Sequence, residues 1–314
     1  KLQQVFATVT TSYKYYWFWA ICRLVLGSGG FKSILTDKNA GMLVRERPVG
    51  ADLYDAGSLT LDIYEILVEM LVLAWSPALK FRVSFGKADS LHELLVKISN
   101  TETDEAFITE AREGEIRKKV KAWVKANGKD ELEFLLRYVP YRFLSVLYED
   151  TLKGVSDGKK NSIIHELSLS KPVFYRLIGD ITGRLTGIEV VGAFARYLQQ
   201  HPLIIEGWIK FKLLEFLQMR NPNIPSLISK IEFLTTRPSL SAERKLWDAF
   251  LAGRKCNDIY CALEVDPERY ELDHYIPWSF VQHHQLWNLI PATREMNNAK
   301  RDRLPDWDKT FASF

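Results

Sequence analysis

A mainly α-helical N-terminal domain followed by a small α+β C-terminal domain is the fold class that the sequence predicts. Three observations carry this. Apolar residues recur at helical spacing through most of the first 250 residues. After Gly253 short runs rich in Ile, Tyr, Leu and Val replace that spacing. A dense group of chemistry-bearing residues then occupies positions 273–305. Gly253 is the natural boundary, giving domains 1–252 and 253–314.

In chain order, Thr10-Thr11-Ser12 offers caps for an aromatic helix through Leu26, which Gly27-Ser28-Gly29-Gly30 stops. Leu59, Ile63, Ile66, Leu67, Met70, Leu71 and Ala74 form a broad stripe that predicts a deeply buried helix over 59–75, ended by Pro77. Ser90–Ser99 reads as a shorter amphipathic helix. Ile116–Asn127 reads as a basic one, carrying Arg117, Lys118, Lys119, Lys121 and Lys125 opposite Val120, Trp123 and Val124. Its cations fit either a solvated surface with snorkelling lysines or a phosphate-tracking face. Asp130–Tyr138 continues as helix up to Pro140, and Val155–Asn161 reads as a polar turn. Ile163–Leu177 is interrupted at Pro172, and Ile181–Val191 has the β-branched composition of a strand. Ile204–Met219 is an amphipathic helix closed by Pro222 and Pro225. Leu227–Leu234 and a helix over Ala242–Leu251 complete the N-terminal domain. Beyond Gly253, Asp258–Leu263 and Tyr270–Ile276 read as two short strands joined by Asp266-Pro267-Glu268, and Arg294–Arg303 as a helix.

The totals set limits. A chain of 314 residues buries a large core, and 47% hydrophobic with 26% charged residues is ordinary for a globular protein. A net charge of +3 neither demands nor excludes a polyanionic partner. Residues 251–314 are slightly acidic, so the surplus lies in the first 250, which are expected to help hold any polyanion. Cys22, Cys256 and Cys261 cannot build a disulfide framework, which points to a reducing cytoplasm. The apolar run Tyr15–Leu26 is too short to span a bilayer and contains Arg23, so no membrane anchor is expected.

Asp273-His274, Asn288 and Asn297-Asn298-Ala299-Lys300 together supply what phosphodiester hydrolysis needs. An imidazole such as His274 can take a proton from water near neutral pH. One carboxylate (Asp273) and one amide oxygen (Asn297) make a sparse hard-oxygen site suited to Mg²⁺ or Mn²⁺. Asn298 is the weaker candidate for the second ligand. Lys300 lies one turn beyond Asn297 on the same helix face, and with Arg301 and Arg303 it can meet a phosphate backbone. Because neighbouring strand side chains point to opposite faces, Asp273 and His274 are expected to address the site from different sides, or to converge through a local distortion of the strand.

Residues 273–305 resemble the HNH endonuclease family, with its ββα-metal fold. The match extends to Asp-His-x-x-Pro-x-Ser-Phe, a mid-loop Asn, Asn-x-x-Lys and a Pro five residues after the Lys. That spacing is similar to the HNH domain of RNA-guided CRISPR effector nucleases. The resemblance implies that His274 is the general base, that Asp273 and Asn297 bind the metal, and that Asn288 orders the loop and positions the base. It implies a divalent-metal-dependent endonuclease acting on DNA, with RNA the lesser alternative. Ser-Tyr-Lys-Tyr-Tyr-Trp-Phe from Ser12 and Arg-Asn-Pro-Asn-Ile-Pro from Arg220 resemble the uncharacterised helical regions of bacterial HNH proteins suspected in phage defence. By that likeness the N-terminal domain holds substrate or a protein partner.

The sequence departs from the family at the structural zinc. Many HNH units carry two Cys-x-x-Cys pairs; here Cys256 and Cys261 are five apart, and Thr293 and Met296 occupy the second pair's positions. Two thiols do not complete a tetrahedral zinc site. Packing of Ile276, Phe280, Leu286, Trp287, Leu289, Ile290 and Leu304 is expected to replace zinc, and His283 and His284 to lie in an exposed loop. A helical scaffold or regulatory subunit, with the HNH unit used only for binding, is the competing reading. The retained Asp273, His274 and Asn297 weigh against it.

Overall fold

The computed structural model describes residues 1–7, 9–27, 57–99, 107–108, 111–180, 184–231 and 239–311. They form two compact units, Lys1–Pro222 and Asn223–Phe314.

The first unit is built around the helix Tyr13–Leu26, in which Tyr16, Trp17, Phe18 and Ala20 are fully buried. A helix apolar on all sides must be enclosed on all sides. Ile63–Trp75, Glu133–Ser145, Gly192–Gln200 and Pro202–Gln218 all pack on it. The Trp17 indole donates to the Tyr175 hydroxyl at 3.2 Å, and that hydroxyl donates to the Pro140 carbonyl at 2.7 Å. Phe143 stacks on Tyr175 with centroids 5.9 Å apart. The helix start is held from outside: the Ser12 amide donates to the Asp89 carboxylate at 2.6 Å, and the Ser12 side chain makes no capping bond.

Several boundaries move from their sequence-based positions, each for a local reason. The stripe over 59–75 is split. Leu59–Asp62 is a strand, β1, and the helix starts at Ile63 because the Asp62 carboxylate accepts from the amides of Tyr64 and Glu65 at 2.8 and 3.1 Å. Pro77 does not end the winding; a π-helical turn, Ser76–Lys80, takes it in. Pro140 lies inside the helix Glu133–Ser145. The presumed turn 155–161 is mostly the beginning of a helix, Asp157–Ser170. Chain reversal falls instead near Gly154, whose φ of 77° suits glycine. Strands β2 (Tyr175–Gly179) and β3 (Leu185–Val190) follow, and β3 lies between β1 and β2 in an antiparallel sheet. A Cβ on Gly187 would stand 2.6 Å from the Leu61 carbonyl oxygen, so only glycine permits this approach of β3 to β1.

The basic helix spans Glu113–Glu131, and its cations are largely engaged within the unit. Arg117 pairs with Glu69 and with Glu113. Glu69, 2% exposed, also receives Arg23 Nε at 3.0 Å. Lys121 pairs with Glu65 at 2.8 Å, and Lys119 donates to the Ser99 carbonyl at 3.0 Å. Lys118 and Lys125 are exposed. The snorkelling reading therefore describes this helix better than the phosphate-tracking one. Burial alone would push the Glu113 carboxyl up, but Arg23 and Arg117 outweigh it and hold it below the usual range. Its stabilisation is complete above the ordinary carboxylate pKa and is lost as pH falls through the lowered value.

In the second unit only one of the two expected strands forms where it was read. Strand β4 is Glu271–His274, and its antiparallel partner β5 is Leu289–Ala292, with Asp273 opposite Ile290 and His274 opposite Leu289. Asp258–Leu263 is a turn, closed by the Ala262 amide on the Asp258 carbonyl at 2.8 Å and flanked by the bridge Asn257–Glu264. Turn-forming hydrogen bonds win there over β-branched composition. The following helix is Arg294–Lys300, shorter than the expected 294–303, and ends where Arg301 adopts φ 49°. Helix Ser241–Leu251 belongs to this unit. Leu251 packs with Val265, Tyr270 and Leu272, so the compact unit reaches back well beyond Gly253. The expected zinc-replacing core is largely absent: Leu289 and Ile290 are buried, whereas Phe280, Leu286, Trp287 and Leu304 are 44–70% exposed.

Replacing Glu69 by Ala is expected to lower the unfolding free energy by about 3 kcal/mol, because two arginines lose their shared partner in a buried place. Lys121→Ala, which breaks an exposed pair, is expected to cost less than about 1 kcal/mol. Urea denaturation of both variants checks the contrast.

Candidate active site

Strand β4 sorts the site by alternation. Glu271 and Asp273 face the helix Arg294–Lys300. The Asn297 side-chain amide donates to Glu271 Oε2 at 2.6 Å, and Arg294 Nε stands 3.7 Å from Glu271 Oε1. Asp273, 6% exposed, receives Lys300 Nζ at 3.0 Å and the Tyr260 hydroxyl at 2.5 Å, both on Oδ2. Burial first, and then the Asp273 charge, push the Tyr260 phenol well above its ordinary value, so it stays a protonated donor. Tyr260 was not singled out in the sequence, because the segment around it reads as a plain strand.

His274 has different partners. Its ring is 2% exposed, and its Nε2 lies 2.9 Å from Nδ1 of His284. The two centroids are 5.0 Å apart, and Trp278 stacks on His284 at 6.2 Å with an interplanar angle of 26°. His284, expected in an exposed loop, is thus half-buried against the candidate base. No spacing in the sequence signals this contact. Asn288 is fully buried and clamps the loop with both ends of its amide: Oδ1 accepts from the Ile276 amide at 2.8 Å and Nδ2 donates to the Ile276 carbonyl at 2.9 Å. It meets the chain two residues past His274, which suits the ordering of the loop and not a direct chemical step.

The helix residues divide. Lys300 turns inward, 9% exposed, and also donates to the His274 carbonyl at 2.7 Å. It therefore neutralises Asp273 instead of facing a phosphate backbone. Arg301 and Arg303, past the helix end, are exposed, as is Asn298. Asn297 is half-buried beside Glu271, one rung along β4 from Asp273.

Among the described residues, no group of three or more His, Cys, Asp or Glu side chains is placed to hold a metal ion. The donors near Asp273 nevertheless fit a hard cation in kind. The Glu271 and Asp273 carboxylates share one strand face with the Asn297 amide, whose nitrogen is engaged and whose oxygen is the ligand type required. In the present arrangement the cation on Asp273 is the Lys300 ammonium.

A buried carboxylate joins the turn after Asn257 to the helix Arg294–Lys300. Asp258 is fully buried. Its Oδ1 accepts from the Tyr260 amide at 2.7 Å, and its Oδ2 accepts from the Thr293 amide at 2.7 Å and the Thr293 hydroxyl at 3.0 Å. Thr293 in turn caps the helix Arg294–Lys300 through the Met296 amide. This bridge, and not the expected packing of Phe280, Leu286, Trp287 and Leu304, ties the turn to the helix. Asp258→Ala is expected to destabilise the second unit by about 3 kcal/mol, the order of several hydrogen bonds to a buried charge. Asp258→Asn, which keeps one acceptor, is expected to lose less. Hydrogen exchange over residues 258–306 measures both.

Residues 258–306 match the family model described as HNH endonuclease. No curated protein and no solved structure matches the chain. The matched segment contains the Asp258 bridge, β4, β5 and the helix Arg294–Lys300. The match supports a nuclease, a hydrolase by reaction class, and implies nucleic acid as the class of substrate.

Proposed function

We propose that this protein is a divalent-metal-dependent endonuclease that hydrolyses DNA phosphodiester bonds, by nicking or by cutting both strands. In this reading residues 253–314 carry the reaction, and residues 1–252 hold substrate or a protein partner. The observation that carries it is the division of labour along β4: an imidazole on one side with its own partner, and hard-oxygen donors on the other. His274 takes the proton of the attacking water. Asp273 and Asn297 hold Mg²⁺ or Mn²⁺, which when bound stabilises charge on the phosphate and the leaving oxygen. Asn288 fixes the loop behind the base, and Arg301 and Arg303 supply exposed cations for neighbouring phosphates. DNA is the first substrate by the resemblance and RNA the lesser alternative; the metal chemistry uses no 2′-hydroxyl and so does not choose between them. Among the described residues no helix is long and apolar enough to cross a membrane. A cytoplasmic role in bacterial defence against phage rests on the resemblance of the N-terminal region to such proteins.

One observation favours a binding-only role. Lys300 already neutralises Asp273, and the His274 ring is 2% exposed, as in a site that holds itself closed. Plasmid DNA, a single-stranded RNA and the purified full chain, incubated with Mg²⁺ or Mn²⁺, separate the readings. The expected result is DNA cleavage that EDTA stops and that His274→Ala lowers by about a hundredfold or more with an unchanged melting curve. Full activity in His274→Ala, or no cleavage of either nucleic acid with either metal, sinks the nuclease reading; cleavage of RNA alone moves the substrate.

A further inference from the structure

A groove of about 190 Å³ opens on the second unit, lined by Leu246, Trp247 and Phe250 of the helix Ser241–Leu251 and by Leu286 of the turn Leu286–Asn288. None of these four residues belongs to the motif Asp-His, Asn, Asn-x-x-Lys. We propose that the groove seats one unpaired nucleobase of a single-stranded stretch of the substrate. The inference rests on the nuclease reading above and names the form of nucleic acid that the unit takes.

Size and lining restrict the occupant. Leu246, Phe250 and Leu286 are exposed, so an apolar lining faces solvent. The space is smaller than the roughly 300–1,000 Å³ of a site for a drug-sized ligand, which leaves room for one ring system or one side chain. The aromatic wall is a pair: Trp247 and Phe250 meet edge to face, with centroids 5.4 Å apart at 77°. A duplex keeps its bases stacked inside and offers such a groove nothing. A single strand offers a π-face with every base.

Charge selects the base over an apolar side chain of a protein. The Arg254 guanidinium lies 4.9 Å from the Phe250 ring centroid, and Arg254 and Lys245 are exposed. Residues 241–255 carry four cations (Arg244, Lys245, Arg254, Lys255) against two acids (Glu243, Asp248), although residues 251–314 as a whole are slightly acidic. Asp248 is already engaged by the Tyr270 hydroxyl at 2.6 Å, and Lys255 by Glu264 at 3.1 Å. An apolar protein segment laid over the groove would take water from Arg254 and give it no counter-charge, which is costly. A strand brings its phosphates with its base, and an aromatic wall rimmed by cations is how proteins hold single strands.

The groove is also continuous with the candidate site. Leu286 shares its turn with Asn288, whose carbonyl accepts from the Tyr275 amide at 2.9 Å, and Tyr275 follows His274. The wall at Leu286 is thus held by the same clamp that orders the chain after the imidazole.

Fluorescence anisotropy of the full-length protein in EDTA tests this with three probes of equal length, about twelve nucleotides: a thymidine strand, the same sugar–phosphate strand without bases, and a duplex. Phe250→Ala is expected to weaken the thymidine strand by about tenfold, the loss of one stacked base, and to change the other two probes by less than about twofold. Leu286→Ala, on the opposite wall, is expected to show the same selective loss with an unchanged melting curve, which keeps the test decisive if Phe250→Ala fails to fold. Arg254→Gln is expected to weaken all three probes, as a phosphate contact does. Unchanged affinities in both groove variants overturn the proposal and leave the groove to an apolar protein side chain. A loss in them that is equal on all three probes overturns it too, as does a wild type that binds no thymidine strand. EDTA keeps cleavage out of the measurement, so the two readings fail separately. Selective binding with no cleavage of DNA or RNA under Mg²⁺ or Mn²⁺ sinks the nuclease reading alone; cleavage with unselective binding sinks the groove assignment alone.

Discussion

The C-terminal unit depends on one buried carboxylate. Asp258 has no solvent exposure and accepts hydrogen bonds from Tyr260 and Thr293, residues far apart in sequence. A buried charge without donors would be costly, so these bonds are close to obligatory. Two consequences follow. Fixing the turn at Tyr260 sends the phenol toward Asp273, and fixing Thr293 sets where the helix Arg294–Lys300 starts. Because side chains three or four apart share a helix face, that start determines that Asn297 and Lys300 return to the β4 face. The unit thus obtains from one carboxylate the registration of its turn against its helix.

A second constraint concerns charge sharing inside a low-dielectric site. Asp273 and Lys300 are 6% and 9% exposed, and neither could be buried so far without the other. Glu271, one step along the strand face and partly exposed, takes the Asn297 amide. The rungs of β4 therefore pair each acid with a separate helix residue. In the first unit the same logic operates around Glu69, which draws Arg23 and Arg117 inward and so removes Arg117 from any external role.

What could be read from the sequence follows from these interactions. The motif residues were legible as candidates because chemistry restricts residue type, and of their expected roles the structure shows the Asn288 clamp on the loop. The buried aromatic helix was legible because an all-apolar run has one outcome. Asp258 was not, since an acid in an apolar run looks like an ordinary strand residue until Thr293 is seen to face it. Lys300 was located on the correct helix face, but sequence spacing cannot say whether a cation on that face points to a ligand or to a neighbouring acid. The exposure of Phe280, Leu286 and Trp287 was equally hidden, because hydrophobicity marks what can be buried and not what a short loop has room to bury. Pro77 and Pro140 misled for a related reason: tertiary packing held helical backbone past both.

The alternation of β4 also explains why the acid and the imidazole are neighbours in sequence without quenching each other. Were Asp273 and His274 on one face, the carboxylate would attract a proton to the ring, and an imidazolium cannot act as a base. On opposite faces, Lys300 and Tyr260 absorb the carboxylate's charge and hydrogen-bonding demand, while the His274 ring meets His284. The backbone joins the two sides: Lys300 donates both to Asp273 and to the His274 carbonyl, so the residue that neutralises the acid also holds the peptide that carries the imidazole. Separation of charge and coupling of position are then achieved by the same side chain. This arrangement needs adjacent residues on a strand and a helix packed across it; two residues on a flexible loop would supply the same groups with neither property.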